Sequence, residues 1–357
     1  MRTLYVAAGG GGDAVGALLA RRALGDTDER PPLVTTCAWE RLRIDPVPGP
    51  RARTDFIGLG LVGGEPCEVL PTSDTVPPGR SVLPRLAETS GARIFVHDFE
   101  GGAVGLAHQL RRLSASLDVD RLVVLDVGGD VMARGPEPTL KSPLADSLTL
   151  AAALGTGIAT TLAVVGPGAD AELSESKVLT LLKSVDAESV GRVVSGDVTA
   201  LSPVLCWHPT EATALVAAGA RGMRGSVAMR RGRDPVPLTE HTATAWAIPH
   251  PSFASLPLAR LLRETVNLSE AEDVMSATSV NEIDFERQVA SKAPYPHSQI
   301  PLPGVIAKMT EVGATHITSR RLAEVLSPQE LDELEASAVQ PSNGLWSKGD
   351  LNGWAAR

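Results

Sequence analysis

The chain has 357 residues, 43% of them hydrophobic, so it can bury a substantial core in one large α/β domain or two smaller ones. Its net charge of −9 excludes a typical nucleic-acid partner, because binding a phosphate backbone requires concentrated lysine and arginine. The three cysteines form no CxxC pair, which argues against a disulfide framework or a cysteine zinc site and favours a reducing, cytoplasmic location.

The N-terminal half alternates apolar segments with helical patterns. Strands are predicted over residues 3–8, 32–37, 92–96, 122–125 and 161–165, and helices over 14–24, over 103–117 and from Ser142 and Pro143 onward. Strands that alternate with helices across short turns are typical of a parallel sheet covered on both sides. We therefore predict an α/β fold with an open, mainly parallel, doubly wound (Rossmann-like) sheet.

Residues 147–168 raise the question of a membrane span, because they carry no charge and are long enough to cross a bilayer. The Gly155-Thr156-Gly157 sequence interrupts them and predicts a helix ending near Leu154, followed by a buried strand over 158–165. The first residues run straight into a strand-like segment and leave no hydrophobic region for a signal peptide. We therefore expect neither a membrane partner nor a leader.

The pattern weakens after residue 202. Helices are predicted over 209–218, 256–265, 270–277 and 286–292, and strands over 227–230 and 244–248. We predict a single domain over residues 1–340, with a glycine-rich core in 1–200 and a less regular α/β part in 201–340. Residues 341–357, which include Gly, Ser and Asn, are predicted to form a loose tail.

Three predicted strands end in glycines followed by an aspartate, at residues 9–13, 128–130 and 166–170. In an open parallel sheet, ligands bind beyond the carboxyl ends of the strands. Glycine lets backbone N–H groups approach a ligand, and a following helix N-terminus favours an anion. The residues predicted to bind the ligand or cofactor at this edge are Gly9, Gly10, Gly11, Gly12, Asp13, Gly128 and Gly129.

The first glycine loop leaves other interpretations open. Gly9, Gly11 and Ala14 fit the G-x-G-x-x-A pattern of dinucleotide-binding loops. The acid expected at the end of the second strand is missing, however, since Glu40 lies too late. A dinucleotide-dependent enzyme and a purely structural tight turn are the alternatives to phosphate binding.

Asp126 and Asp130 are the candidate chemical pair. Two carboxylates on either side of a Val-Gly-Gly turn can bind one divalent cation, such as Mg²⁺ or Mn²⁺, or can serve as acid and base. Glu137 and Asp146, which flank the start of the next helix, are candidates to complete a catalytic site. The alternative is that these acids only cap turns or complement a helix dipole. We expect Asp126 and Asp130 to converge with Asp13 and with Asp146.

The remaining polar motifs favour structural roles. His97, with Asp98 and Glu100, follows a predicted strand, where a lone histidine is more often structural. The other histidines considered are His208, His241, His250 and His297. None of these has HxxxH or HxH spacing, so no histidine zinc site is predicted. Glu282 and Asp284 precede a predicted helix, which favours a capping role.

Four segments of the sequence together indicate a family. They are Ala8-Gly9-Gly10-Gly11-Gly12-Asp13-Ala14, Trp39-Glu40-Arg41 with Asp45-Pro46 and Pro48-Gly49-Pro50, Asp126-Val127-Gly128-Gly129-Asp130, and Ser142-Pro143-Leu144-Ala145-Asp146-Ser147. With these segments the chain resembles the family catalogued as domain of unknown function 1152, from its N-terminus to about residues 281–286. The resemblance implies a single full-length domain of bacterial or archaeal type, and it supplies no activity and no catalytic residue.

The residues themselves favour an enzyme whose partner is a small anionic, phosphorylated or nucleotide-like metabolite. Metal-assisted hydrolysis by paired aspartates is the favoured chemistry, and lyase or group-transfer chemistry stays open. The rival hypothesis is a protein that binds a nucleotide or metabolite in the same crevice without turnover. Only catalysis requires closely spaced carboxylates with shifted pKa values. Formation of a homo-oligomer stays open as well.

Overall fold

The fold is given by a computed structural model that describes residues 1–229, 234–291, 300–337, 341 and 344–356. The described strands are β1 (Thr3–Ala7), β2 (Leu33–Cys37), β3 (Phe56–Ile57), β4 (Gly60–Val62), β5 (Glu65–Val69), β6 (Asp74–Thr75), β7 (Arg93–His97), β8 (Arg121–Val127), β9 (Ala159–Val165), β10 (Glu188–Arg192), β11 (Gly225–Ala228), β12 (Val236–Leu238), β13 (Thr244–Ile248), β14 (His316–Thr318) and β15 (Leu345–Ser347). The described helices are α1 (Gly11–Ala20), α2 (Leu83–Thr89), α3 (Gly102–Ser116), α4 (Pro143–Gly155), α5 (Glu175–Ser184), α6 (Ser195–Ala200), α7 (Ser202–Leu205), α8 (Ala212–Ala220), α9 (Pro257–Leu262), α10 (Leu268–Thr278), α11 (Glu282–Ser291), α12 (Leu302–Glu311), α13 (Ser319–Val325), α14 (Pro328–Glu335) and α15 (Lys348–Ala355).

Nine strands form a central sheet in the order β10-β13-β9-β8-β1-β2-β7-β5-β4. Its five middle strands, from β9 to β7, are parallel to one another. The outer strands pair antiparallel with their neighbours, and the sheet is open. The five strands predicted in the first 165 residues all lie in this parallel centre, which confirms the predicted fold class.

The side chains of β1 alternate between two cores, because neighbouring residues of a strand point to opposite faces of the sheet. Leu4 and Val6 pack on one side with residues of α3, α4, α9 and α10. Tyr5 and Ala7 pack on the other side with residues of α1, α2, α6 and α8. Burial on both faces explains why the central strands have continuous apolar sequences.

The order of the strands reverses between β1 and β8. From β1 the chain proceeds outward through β2 to β7, and it then crosses back to β8 and β9 on the other side. The connections after β1 and β8 therefore diverge and leave a crevice at the carboxyl ends of these strands. This is the position at which open α/β sheets usually bind ligands.

The C-terminal part forms a second sheet of four strands in the order β12-β11-β14-β15. Trp346 and Leu351, from β15 and α15, are buried in a small core beside this sheet. The prediction of a loose tail over 341–357 is therefore wrong for residues 344–356. The apolar side chains of Leu345, Trp346 and Leu351 supply enough buried surface to order a segment that is otherwise rich in Gly and Ser.

Several other predictions for the C-terminal part hold with shifted boundaries. The strand predicted over 244–248 coincides with β13, which joins the central sheet beside β9. The strand predicted over 227–230 begins earlier, as β11, and Arg230 lies outside the described residues. The helix predicted over 286–292 begins at Glu282, and both Lys292 and His297 lie outside the described residues.

Residues 147–168 fold as the Gly-Thr-Gly break predicts. α4 ends at Gly155, and β9 follows and ends at Val165. Within the described part of the chain, no helix has both the length and the apolarity needed to cross a bilayer.

Candidate functional site

A cleft of about 170 Å³ lies at the crevice between the ends of β1 and β8. Of the residues predicted from the sequence, it is lined by Gly9, Gly10, Gly11, Gly12, Asp13, Asp126, Asp130 and Asp146. Its lining also includes Asp170, Glu172, Arg41, His208 and Arg320. Residues that follow several central strands therefore line the cleft, as expected at the carboxyl edge of a parallel sheet.

Asp13, Asp126 and Asp146 converge on one point of the cleft. Each offers a carboxylate oxygen, and these oxygens all lie within 4.8 Å of one another. They come from three separate elements, namely the first turn of α1, the end of β8 and the first turn of α4. Of the predicted convergence of Asp126 and Asp130 with Asp13 and Asp146, the part that concerns Asp126 is confirmed, whereas Asp130 borders the same cleft outside this group.

Asp13 connects the ends of β1 and β8. Its Oδ2 accepts a hydrogen bond of 2.8 Å from the Gly9 amide, and its Oδ1 accepts one of 3.4 Å from the Val127 amide. A Cβ at Gly9 would lie 3.0 Å from Asp13 Oδ2 and 3.4 Å from Asp146 Oδ1. The absence of a side chain at Gly9 therefore lets two carboxylates approach the backbone closely.

Asp126 and Asp130 lie together but have different neighbours. Asp126 Oδ2 accepts a hydrogen bond of 3.2 Å from the Val131 amide, and Asp126 lies close enough to Asp130 for each carboxyl group to influence the pKa of the other. Asp130 borders the cleft, yet it is outside the group formed by Asp13, Asp126 and Asp146. The geometry therefore favours a metal site formed by Asp126 with Asp13 and Asp146 over one formed by Asp126 and Asp130.

Gly128 and Gly129, which we expected to contact a ligand, do not line the cleft. They shape the turn after β8 with φ angles of 130° and 107°. A Cβ at Gly128 would lie 2.1 Å from Asp170 Oδ2, and a Cβ at Gly129 would lie 2.5 Å from Val178 Cγ1. These glycines therefore make room for the side chains of Asp170 and Val178.

The start of α4 is fixed by Glu172. Its carboxylate accepts hydrogen bonds from the Lys141 amide (2.7 Å), the Ser142 amide (2.9 Å) and the Ser142 hydroxyl. Ser142 directly precedes the helix as predicted, but its side chain makes no capping hydrogen bond. Glu172 thus holds the turn that delivers Asp146 to the cleft.

Glu137, a predicted catalytic residue, lies away from the lining of the cleft. Its carboxylate accepts hydrogen bonds from the amides of Arg134 and Gly135, at 2.8–3.1 Å. It therefore stabilises its own loop. The sequence could not distinguish it from Asp146, because both acids flank the same helix start.

The pKa values of the clustered aspartates are raised, mainly because burial disfavours the charged form. Burial raises the pKa of Asp126 to about 7. Burial, together with neighbouring carboxylates, also raises the pKa of Asp13, Asp130 and Asp146 well above the ordinary value. Arg41 opposes the rise at Asp13. A divalent cation and protons therefore compete for the same oxygens.

Arg41 reaches the cleft through contacts that the sequence did not indicate. Its guanidinium lies 3.1 Å from Glu282, at the start of α11. Glu282 was predicted to cap this helix, and this role belongs instead to Asn281, whose Oδ1 accepts from the Asp284 amide at 3.1 Å. The prediction for Glu282 is wrong, because its carboxylate accepts a hydrogen bond from Arg41, which lies more than 200 residues away in the chain.

Two further residues of the lining, His208 and Arg320, were not predicted either. His208 precedes α8 and Arg320 belongs to α13, so neither follows a parallel strand. His97 has a different environment, because its Nδ1 is hydrogen-bonded to the Thr35 hydroxyl at 3.1 Å and it does not line this cleft. Asp98 pairs with Arg53 at 3.0 Å. The structural role expected for His97 agrees with this position.

Glu286 fastens the segment that carries Arg41. Its Oε2 accepts hydrogen bonds from Trp39 Nε1 at 2.8 Å and from the Gly49 amide at 2.9 Å, and the side chain is buried. Glu286→Ala would leave two buried donors unpaired, so we expect the free energy of unfolding to fall by roughly 2–4 kcal/mol. Urea denaturation measures this change.

Asp284→Ala on the same helix is the matched control. The side chain of Asp284 is 52% exposed, and its loss should change the free energy of unfolding by at most about 0.5 kcal/mol. An equally small effect of Glu286→Ala would show that Trp39 and Gly49 find other acceptors.

A family model described as protein of unknown function (DUF1152) matches residues 4–290. The chain belongs to the DUF1152 family. The DUF1152 match spans β1 to α11, so it includes Asp13, Asp126, Asp146 and the Arg41–Glu282 pair. Arg320 lies beyond the matched residues. No curated protein and no solved structure matches the chain.

Proposed function

We propose that this protein is an enzyme that binds a divalent cation, Mg²⁺ or Mn²⁺, through Asp13, Asp126 and Asp146 and acts on a small anionic metabolite. The observation that carries the proposal is the convergence of three carboxylates, from three separate elements, within 4.8 Å of one another. Carboxylate oxygens are the ligands that both cations prefer. Three acids held close together are otherwise mutually repulsive, and a cation neutralises them.

The charge distribution of the cleft supports a cationic ligand beside these acids. Its acidic residues are Asp13, Glu40, Asp126, Asp130, Asp146, Asp170, Glu172 and Glu211, and its arginines are Arg41 and Arg320. Asp170 Oδ2 is a buried oxygen without a hydrogen-bond partner among the described residues. The carboxyl groups in this cleft outnumber the arginines, and their negative charge can be neutralised by a bound metal ion or by protons.

Hydrolysis is the reaction class that we favour. A bound Mg²⁺ or Mn²⁺ usually keeps several water molecules, and it lowers the pKa of a bound water. Asp130, which borders the cleft close to Asp126, is the candidate group to take the proton from that water in its ionised form. Group transfer or a lyase reaction would use the same cation to polarise a substrate oxygen.

The alternatives are weaker but distinct. A dinucleotide cofactor fits less well, because the cleft has a volume of only about 170 Å³. In addition, a Cβ at Gly10 would lie 3.0 Å from the Trp39 carbonyl, so the Trp39 backbone already fills the space beside this part of the glycine loop. A protein that binds the metabolite without turnover would use the same residues. A cytoplasmic location is part of the proposal, and the unpaired cysteines agree with it.

The test is direct binding of Mn²⁺, measured by electron paramagnetic resonance and calorimetry, followed by turnover of a panel of phosphate esters. We expect Asp146→Asn to weaken Mn²⁺ binding by about 100-fold and to abolish turnover. Glu137→Gln is the matched control, since it removes a nearby carboxylate that lies outside the cleft, and it should change neither.

Each outcome has a definite meaning. Failure of the unaltered protein to bind Mn²⁺, or equal losses in both variants, would exclude the metal site. Mn²⁺ binding without turnover of any ester would favour the binding protein over the enzyme.

A further inference from the structure

The imidazole of His208 is held in one tautomer. Its Nδ1 accepts a hydrogen bond of 3.2 Å from the Thr210 amide, so Nδ1 carries no proton. The side chain is 8% exposed, and burial, with a contribution from Arg320, lowers the pKa of His208 to about 3. The ring is therefore neutral, and its single proton lies on Nε2.

The Nε2–H group of His208 is a donor without an acceptor. Among the described residues no atom accepts a hydrogen bond from this buried nitrogen. A buried donor without a partner is unfavourable, and it is uncommon in folded proteins. His208 borders the cleft, and its Nε2 would lie 3.7 Å from a Cβ placed on Gly11. The donor thus faces the start of α1.

The N-terminus of α1 presents further donors at the same place. α1 has ten residues, and the N–H groups of its first turn, including those of Gly11 and Gly12, have no acceptor within the helix. Gly10, the residue before this terminus, has no side chain that could cap it. Asp13, the acid of the first turn, directs its oxygens to the amides of Gly9 and Val127 instead. The positive end of the helix dipole is therefore available to an anion.

Neighbouring glycines of the first loop face differently lined parts of the cleft. Gly9 lies against the carboxylates of Asp13 and Asp146, whereas Gly11 lies against His208. Arg320 also lines the cleft, and it interacts electrostatically with His208. Arg320 Nε also lies 4.0 Å from Glu211 Oε2, so the region at Gly11 contains a carboxylate as well. This region is distinguished by its hydrogen-bond donors, which are His208 Nε2–H, the first amides of α1 and Arg320.

We propose that His208 Nε2–H, together with the amides at the start of α1 and the guanidinium of Arg320, binds a phosphoryl group of the substrate. These groups comprise a neutral imidazole N–H, backbone amides and a cationic guanidinium. Together they can donate hydrogen bonds to the several oxygens of a phosphoryl group. The assignment of this group as the reacting end of the substrate rests on the proposed function. The neighbouring metal would then contact an oxygen of the same group.

The experiment uses the full chain without divalent cation, in the presence of a chelator, and inorganic phosphate as the probe. Calorimetry measures its affinity, and NMR of the imidazole nitrogens follows His208. We expect phosphate to shift the Nε2 resonance and His208→Ala to weaken phosphate binding by about tenfold or more. His97→Gln is the matched control, because His97 is also a buried imidazole whose Nε2 has no partner among the described residues, but it lies outside this cleft.

Gly11→Val provides an independent test that does not alter the histidine. A Cβ at Gly11 meets only ordinary contacts, at 3.4 Å from Val82 Cγ2 and 3.6 Å from Leu83 Cδ2, so the variant should fold. Its methyl groups enter the space in front of His208 and should abolish phosphate binding. Thermal denaturation recorded beside the titration distinguishes a blocked site from an unfolded one.

The outcomes separate this inference from the metal proposal. Equal phosphate affinity of the unaltered protein and His208→Ala, or phosphate binding that requires Mn²⁺, would overturn the anion site while the metal site stands. Loss of Mn²⁺ binding with phosphate binding retained would overturn only the metal site. Equal affinity for malonate would overturn the assignment of a phosphoryl group.

Discussion

Replacing Asp126 by asparagine should stabilise the metal-free protein at about pH 8 and reduce its affinity for Mn²⁺ by about 100-fold. Asparagine keeps the size of the side chain and still offers Oδ1 to the Val131 amide, which now bonds to Asp126 at 3.2 Å. It removes a buried negative charge that lies beside Asp13, Asp130 and Asp146. The same charge is needed to hold a divalent cation.

The gain in stability should depend on pH. The pKa of Asp126 is raised from 3.8 to about 7 by burial, so between these values the folded state binds more protons than the unfolded state. The free energy of unfolding of the metal-free protein therefore falls as pH rises from about 4 to about 7. This loss is about 1.4 kcal/mol per pH unit for one such group. Asp126→Asn should remove the share of this pH dependence that Asp126 contributes, while Asp13, Asp130 and Asp146 keep theirs. Bound Mn²⁺ should reduce the same loss of stability in the unaltered protein.

Asp45→Asn is the control with the opposite sign. Asp45 is buried too, but its Oδ2 lies 2.6 Å from Arg51 Nε, so removing its charge leaves a cation without its partner. We expect this variant to lose about 2 kcal/mol or more of stability. Chemical denaturation at several pH values tests both variants. A loss of stability for Asp126→Asn at about pH 8 would indicate that Asp126 is paired with a positive group in solution.

Gly128→Ala should destabilise the protein by about 3 kcal/mol or more. Two effects add at this position. The φ angle of 130° is one that residues with a side chain rarely adopt, and a Cβ would lie 2.1 Å from the carboxylate of Asp170. This carboxylate lines the cleft, and moving it away would break the hydrogen bond of 2.9 Å that Asp170 Oδ1 accepts from the Glu172 amide.

Gly157→Ala separates the two effects. Gly157 has a φ angle of 72°, and a Cβ there would meet no atom of the described residues within 4 Å, so only the backbone strain remains. Its cost should be about 1–2 kcal/mol, clearly smaller than that of Gly128→Ala. Equal losses in the two variants, measured by urea denaturation, would mean that Asp170 does not press against the turn after β8.

The parallel centre of the sheet could be predicted from local signals. Leu4, Val6 and their counterparts in the other central strands form short apolar segments, which are the usual sequence of strands buried on both faces. The glycines and aspartates that follow them mark the turns into the helices. Since parallel strands align their carboxyl ends, these signals also predicted the edge at which Asp13 and Asp126 meet.

The composition of the cleft depends on contacts between distant segments. Asp146 enters the cleft, whereas Glu137 does not, because Glu172 positions the start of α4. Arg41 is brought there by Glu282, and His208 and Arg320 come from elements that follow no parallel strand. None of these partners is recognisable from spacing along the chain.

The sequence by itself therefore determined the α/β class, the parallel strands and the edge of the sheet that carries the acids, because these follow from hydrophobic periodicity and turn residues within short segments. It also predicted the likeness to the DUF1152 family that the match over residues 4–290 establishes. Only the tertiary structure decided that Asp130 lies outside the group of Asp13, Asp126 and Asp146, that Gly128 faces Asp170, and that His208 presents to the cleft a donor with no acceptor among the described residues. The physical reason is that these relations arise where separate elements pack together, and the packing of distant segments leaves no periodic signal in the chain.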